Sequence, residues 1–416
     1  MILGRKEVTE SQNLQPLRKY YVKPAMALPR APVVSRQSPS AWWQSPRPAG
    51  VPTLPYRQWA SSGRAALWHA IRLARETREA LTPGAAGGVM VPTYHPRTLI
   101  APVVAQGLRT DFYPLTAEGL PDLAQLDAYA RLDTFALVLP HYFGPGRSLA
   151  GVRKWCTTRG IALLEDCAHA LFGQAGERPI GHWGDYATAS LSKFSPAPEA
   201  GLLASATHAI APLRLAQAPW REQLKTAKDL WDHHWLASQA DDDLLGLCRR
   251  TDCGVVPLAR FEPDPVSTVP EALVDGRLAG AQHTAPWLAH LVAREATSPI
   301  AAAQRRKHFA TYAHYLGCVP ELQCPMPAPA DDSAPYVYPV WFPEAAAATT
   351  AYHALRGAGA AVFRWDRPWP QMPRLEEDCG GRWAEEVLQL PCHPSLTQPQ
   401  VERTALAVAA LARHCL

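Results

Sequence analysis

From Ser61 to Asp166 the chain repeats one rhythm: a short apolar run, a turn, then a longer stretch with apolar residues at helical spacing. "GRAALWHAIRLARETREAL" carries Leu67, Ala70, Ile71 and Ala74 on one helical face, and "GGVMVP" follows as a buried strand after a glycine turn. "RTLIAPVVAQG" predicts a helix ending at Gly107, "TDFYPL" a strand, "LPDLAQLDAYARL" a helix, "FALVLP" a strand, "SLAGVRKWCTTRG" a helix and "IALLED" a strand. Repeated strand, helix, strand units of this length imply an α/β fold whose mostly parallel sheet is covered by helices on both faces.

Such a fold says where chemistry collects, because ligands of open parallel sheets bind beyond the carboxyl ends of the strands. Three polar clusters directly follow apolar runs: "PTYH" (92–95), "PHYFG" (140–144) and "EDCAHA" (165–170). Outside this region the rhythm changes. The first 55 residues, with "KPAMALPRAPVVSRQSPSAWWQSPRPAGVPTLP", hold prolines at spacings that forbid long helices, and they predict an irregular arm. After Ser205 the chain is irregular and mainly helical through "ADDDLLGLC" and the proline-rich "FEPDPVSTVPEAL". From Ser298 onward a helix in "IAAAQRRKHFATYAHYL", a strand in "PYVYPVWF", a helix in "EAAAATTAYHALRGAG" and a strand in "AAVFRW" predict a smaller C-terminal α/β domain. Thr397 and Gln400 fit a capping box before a last helix, with Pro399 tolerated in its first turn. The expected boundaries are an arm over 1–55, a large domain over 56–297 and a small domain over 298–416.

Charge and composition exclude several function classes. The 41 Lys and Arg against 37 Asp and Glu give a net charge of +4, with no basic block interleaved with aromatics, so no nucleic-acid partner is expected. No stretch approaches the length of a membrane span, and the N-terminus lacks a signal-peptide core; the expected location is cytoplasmic, away from any membrane. Nine cysteines without a CxxC pair predict reduced, mostly buried thiols and no metal site. Cys167 beside His169 is read as a small buried residue at a strand end rather than a nucleophile.

Taken in order, the pieces resemble the DegT/StrS-type sugar aminotransferases, a family of fold-type I pyridoxal 5'-phosphate (PLP) enzymes. The carriers are "SSGRAALWHAI", "VMVPTYHPRTLIAPVVAQGLRTDFYPL", "VLPHYFG", "GIALLEDCAHALFG", "GDYATASLSKFSPAPEAGLLAS", "RRKHFATYA" and "LPCHPSLT", in register from about Tyr56 to the C-terminus. The resemblance implies that Lys193, six residues before "EAG", forms a Schiff base with the cofactor aldehyde. It implies that Asp166 faces the pyridine nitrogen, although an acid at this point also suits a helix cap. His169 stands where a donor to the ring hydroxyl is expected, against the competing reading of a core histidine satisfied by backbone.

Gly63 and Arg64 match the phosphate-binding turn, where backbone N–H groups at a helix start serve, and Ser190 adds a hydroxyl. The family's ring-stacking position falls on Pro96, so His95 or Tyr94 is expected to substitute. Relative to the family, Thr188 replaces a serine and two residues are missing before Lys193. The implied reaction carries an amino group from an amino acid, glutamate by analogy, to a keto-sugar on a nucleotide, with small-molecule partners and a two-fold homodimer. Arg364, Trp365 and Trp369 are candidates for the acceptor pocket, or for packing of the small domain.

Two rivals stand beside it. "SLSK" also fits the S-x-x-K signature of penicillin-binding acylases, but the S-D-N and K-T-G elements are missing from the chain. A PLP-fold protein that does not transaminate, a sugar dehydratase or a regulatory partner, is the alternative. The dehydratase branch replaces the lysine by histidine, so Lys193 argues against it.

Overall fold

Why the alternating runs become a sheet is plain from their burial: Gly88–Pro92 and Thr134–Pro140 are buried along their whole length, which strands covered on both faces require. A computed structural model describes residues 27–35, 48–255, 279–370 and 372–415. The "AWW" of the arm and the proline-rich "FEPDPVSTVPEAL" lie outside the described residues.

The main sheet has seven strands: β1 (Tyr56–Ala60), β2 (Gly88–Pro92), β3 (Arg109–Tyr113), β4 (Thr134–Pro140), β5 (Ala162–Asp166), β6 (Tyr186–Ser190) and β7 (Gly201–Ser205). Their order is β1-β7-β6-β5-β4-β2-β3. β2, β3, β4, β5 and β6 pair in parallel, and β7 pairs antiparallel with both β6 and β1. Helices α1 (Gly63–Leu81), α2 (Arg97–Val104) and α3 (Ala150–Arg159) make the crossovers. The fold is thus α/β with a mostly parallel sheet flanked by helices, as expected.

Between the main sheet and the C-terminal part run α4 (Trp220–Ser238), α5 (Leu244–Asp252) and α6 (Trp287–Ala293). The C-terminal part comprises α7 (Pro299–Leu316), β8 (Val337–Trp341), α8 (Ala345–Gly357), α9 (Cys379–Glu386), β9 (Val387–Pro391) and α10 (Gln398–Cys415), with β8 and β9 antiparallel. Ser62 caps α1 through Ala65 N–H, and Gln400 Oε1 accepts from Thr397 N–H at 2.8 Å at the start of α10.

Three expectations differ. The helix in "LPDLAQLDAYARL" is only the turn Leu126–Tyr129. Asp122 takes Ala124 N–H on its side chain and its carbonyl accepts from Gln125 and Leu126, while Leu126 is the turn's one buried residue. A stretch with so little apolar face gains little from extending. The strand in "AAVFRW" shrinks to one bridge, Phe363 with Gln389, after which the chain turns Trp365 toward the main sheet. The eight described cysteines are free but not mostly buried: Cys156, Cys167 and Cys392 are buried, whereas Cys253 and Cys318 are exposed.

Candidate active site at the strand ends

β5 and β6 end side by side, and their parallel pairing brings Asp166 level with Thr188. The chain past β6 folds into a single 3-10 turn, Leu191–Lys193, held by Leu191 N–H on the Ala200 carbonyl and by Phe194 and Ser195 N–H on the Leu191 carbonyl. That turn delivers Lys193 into a cleft of about 820 Å³ that opens to solvent. Asp166, His169, Ser190, Ser192, Gly63, Arg64, Pro96, His141, Glu199 and Trp365 line the same cleft. The lysine is thus in the cleft despite the two residues missing relative to the family.

Burial pushes the Lys193 amine down to about 8, against the opposing pull of the Asp166 charge. Its Nζ lies 5.3 Å from the Tyr336 ring centroid and 6.0 Å from that of Trp365. Its backbone is fixed by Arg305, a fully buried guanidinium whose Nη2 donates to the Lys193 carbonyl at 2.8 Å and whose Nη1 donates to the Pro335 and Tyr336 carbonyls. Asp166 accepts from Ala168 N–H at 3.0 Å, and burial raises its carboxyl above the ordinary range while Lys193 draws it back.

His169 decides the polarity of the cleft. Its Nδ1 accepts the Phe143 N–H at 3.3 Å, so the neutral ring carries its proton on Nε2, and Nε2 is buried with no partner among the described residues. Burial holds the imidazole well below its ordinary titration range, so this is a fixed neutral donor. The donor to Nδ1 is presented by a strained residue: Phe143 has φ 65, a left-handed conformation that a bulky side chain adopts only under constraint. The constraint is visible in the Phe143 carbonyl, which accepts from Tyr336 and Val337 N–H.

The opposite wall is the start of α1. Ala65 N–H is taken by the Ser62 hydroxyl and Ala66 N–H by the Ser62 carbonyl, which leaves those of Gly63 and Arg64 without an acceptor among the described residues. A Cβ on Gly63 would stand 2.8 Å from Ser190 Cβ, and one on Gly201 would stand 2.0 Å from the Ser62 carbonyl oxygen. Both glycines are required by this close approach of helix to strand end, which sets two free N–H groups beside the Ser190 and Ser192 hydroxyls, themselves 3.1 Å apart. An anion fits there. Across the mouth Arg64 pairs with Glu199 at 2.7 Å.

These pieces meet what PLP asks of a protein: a desolvated amine, a carboxylate, an unmatched buried donor and an anion cradle at a helix start. Residues 62–205 match the DegT/DnrJ/EryC1/StrS aminotransferase family. That match spans α1 through β7 and so contains Gly63, Arg64, Asp166, His169, Ser190 and Lys193. No curated protein matches the chain. Among solved structures it is similar to the aminotransferase TlmJ from Streptoalloteichus hindustanus, at 19% identity and TM-score 0.62, covering 94% of this chain and 99% of that one. It is similar to Helicobacter pylori PseC, an aminotransferase involved in the biosynthesis of pseudoaminic acid, at 15% identity and TM-score 0.62 over 94% of this chain and all of that one. A GDP-4-keto-6-deoxymannose-3-dehydratase is similar at 14% identity and TM-score 0.60, covering 92% of this chain and 100% of the other. At such identities the likeness establishes the fold.

The structure does not bring His95 to this cleft. Its Nδ1 bonds the Pro92 carbonyl at 2.8 Å, its Nε2 accepts Trp369 N–H at 3.1 Å, and its ring lies against Phe112. Tyr94 is buried too, holding Gln389 on its hydroxyl. Neither is placed to stack on a ligand in the cleft, where Pro96 and Trp365 are the neighbours. Of the acceptor candidates, Trp365 lines the cleft, Trp369 is core, and Arg364 is bound to Thr349 and to the Glu385 carbonyl.

Tyr336 and Arg305 escaped sequence reasoning as site residues, although Arg305 sits inside the quoted "RRKHFATYA". Glu165 was also missed: fully buried, it accepts from Gly181, Trp183 and Gly184 N–H and from His141 at 2.8 Å. It braces His141 beside Asp166. Cys167 lies within reach of that pair, but both Glu165 oxygens are already engaged, so the trio is a structural knot rather than an ion site. Burial pushes the Cys167 thiol well above its usual range, which removes it as a nucleophile.

Proposed function

We propose that the chain is a PLP-dependent aminotransferase that moves an amino group from an amino acid, glutamate, to a keto-sugar linked to a nucleotide. The observation that carries this reading is Lys193, an amine lowered to about 8 that shares one cleft with Asp166 and with the unmatched Nε2–H of His169. PLP, when bound, supplies an aldehyde that joins amines and a pyridine ring that takes up electron density from the substrate carbon.

Each residue then has a task. The Gly63 and Arg64 N–H groups and the Ser190 hydroxyl hold the phosphate at the positive end of α1. Asp166 keeps a proton on the ring nitrogen. His169, neutral with its proton on Nε2, would supply a donor for the ring hydroxyl. Lys193 Nζ would hold the cofactor through its aldehyde, and as a desolvated amine with a lowered pKa it would serve as the base for the donor's α-proton. Trp365 and Tyr336 flank that amine and restrict water around it. Arg64, freed from Glu199, offers a guanidinium for a substrate carboxylate.

Retention of Lys193 favours amino transfer over dehydration, since loss of the α-proton to an amine base is what transfer needs. The working form we propose is a two-fold homodimer, on the family resemblance. The reading is tested by loading the protein with PLP and adding L-glutamate without an acceptor. Release of 2-oxoglutarate equal to the enzyme present is expected, with none from Lys193→Ala; release by both proteins, or by neither, overturns the reading.

A further inference from the structure

Arg305, on α7, is a cation in an uncharged surrounding. Its residue is 1% exposed, and among the described residues no carboxylate pairs with it. The titratable groups around it are neutral at neutral pH: burial raises Tyr336 and Cys392 and lowers His308 and His393. A charge held this deep is costly, and a methionine of similar reach would fill the space without it. The charge therefore has a use, and its hydrogen bonds say which.

Among the described residues the guanidinium donates only to backbone carbonyls. Nη2 takes that of Lys193 at 2.8 Å, and Nη1 those of Pro335 at 3.3 Å and Tyr336 at 3.4 Å, while the Phe194 ring lies under Cζ at 4.8 Å. These carbonyls belong to two halves of one site. Lys193 closes the 3-10 turn after β6. Tyr336, just before β8, donates its N–H to the Phe143 carbonyl, and Phe143 N–H goes to His169 Nδ1, the bond that leaves the histidine proton on Nε2. The Tyr336 ring touches both halves, its centroid 4.4 Å from that of His169 and 5.3 Å from Lys193 Nζ. A planar fork can hold two stretches of chain at a set distance, which the single ammonium of a lysine cannot.

We propose that Arg305 is a positioning residue for amino transfer: its guanidinium ties the Lys193 turn to the segment that orients His169, and so fixes the amine against the rest of the cleft. The proposal rests on the aminotransferase reading and adds to it a residue that never meets the cofactor or the substrate.

The test compares wild type with Arg305→Lys, which keeps the charge and loses the fork, and with Arg305→Met, which loses both. Each readout is taken per folded molecule, counted by far-ultraviolet circular dichroism. The first needs no cofactor: trace acetylation of the apoprotein with acetic anhydride from about pH 6 to pH 11, read at the Lys193 peptide by mass spectrometry. Lys193 faces Asp166, His169 and Tyr336, which both variants keep. A midpoint of about 8 is expected in the wild type, and one about a unit higher in both variants, because a loosened turn lets water reach the amine. The second is release of 2-oxoglutarate from L-glutamate by the PLP-loaded proteins, where kcat should fall about 100-fold in both variants with KM and PLP occupancy kept. If the wild type itself releases none, the aminotransferase reading fails, and the midpoints alone decide whether Arg305 positions the amine. Unchanged midpoints with wild-type kcat in Arg305→Lys, or two variants that give no folded protein, overturn the proposal and make Arg305 a residue of stability alone.

Discussion

Two histidines follow two strands of the main sheet, with β4 between them, and they do different things. His95 follows β2 and His169 follows β5; both are buried, and burial lowers both, His95 to about 4. Around His95 every ring nitrogen is spent on backbone, one on Pro92 and one on Trp369. Around His169 only Nδ1 is spent among the described residues; Nε2 is buried without a partner there, in a residue that lines the cleft with Lys193 and Asp166. Position at a strand end therefore does not separate a working histidine from a structural one. The count of satisfied nitrogens does, because a buried donor without a partner costs stability that something else must offset.

The largest effect that tests this difference belongs to the acid beside His169. Asp166→Ala should lower the glutamate half-reaction by about a thousandfold while PLP still binds, since proton control at the ring is lost and the cradle at α1 is not. Unchanged turnover would remove Asp166 from the working unit. His169→Phe should cost roughly 10- to 100-fold in kcat/KM, the range of one hydrogen bond to a charged acceptor, with little change in denaturation midpoint. Equal losses of activity in His169→Phe and His95→Ala would erase the distinction between the two loops. His95→Ala should instead lower unfolding free energy by about 2–4 kcal/mol in a urea titration, through two orphaned backbone groups and a cavity, with turnover per folded molecule kept.

Smaller still is a pH effect. Because burial lowers Lys193 to about 8, its free amine becomes the major form above that pH and the ammonium below it. The rate of PLP capture by the apoprotein should rise about tenfold from pH 7 to pH 9 and then level off. A rate still climbing past pH 10 would mean an ordinary surface lysine.

Much of the frame was legible. Helix α1 spans the residues its periodicity predicts, and the apolar runs of β2 and β4 are strands buried along their whole length, with β5 buried through its apolar centre. Asp166 and His169 follow such a run within a few residues, whereas Ser190 and Lys193 were found through the family resemblance. What the sequence hid is long-range. Arg305 reaches the Lys193 carbonyl across 112 positions, and Tyr336 meets His169 with ring centroids 4.4 Å apart. No local pattern announces either contact. His95 misled for the same reason: its decisive partner, Trp369 N–H, lies 274 positions away.

The central claim is that Lys193 is the amine that takes the cofactor. Reduction of the PLP-loaded protein with borohydride, followed by mass mapping of its peptides, tests it directly. A phosphopyridoxyl adduct on Lys193 alone, lost in Lys193→Ala while His95→Ala retains it, is the predicted result. An adduct on another lysine, or none, would contradict the account.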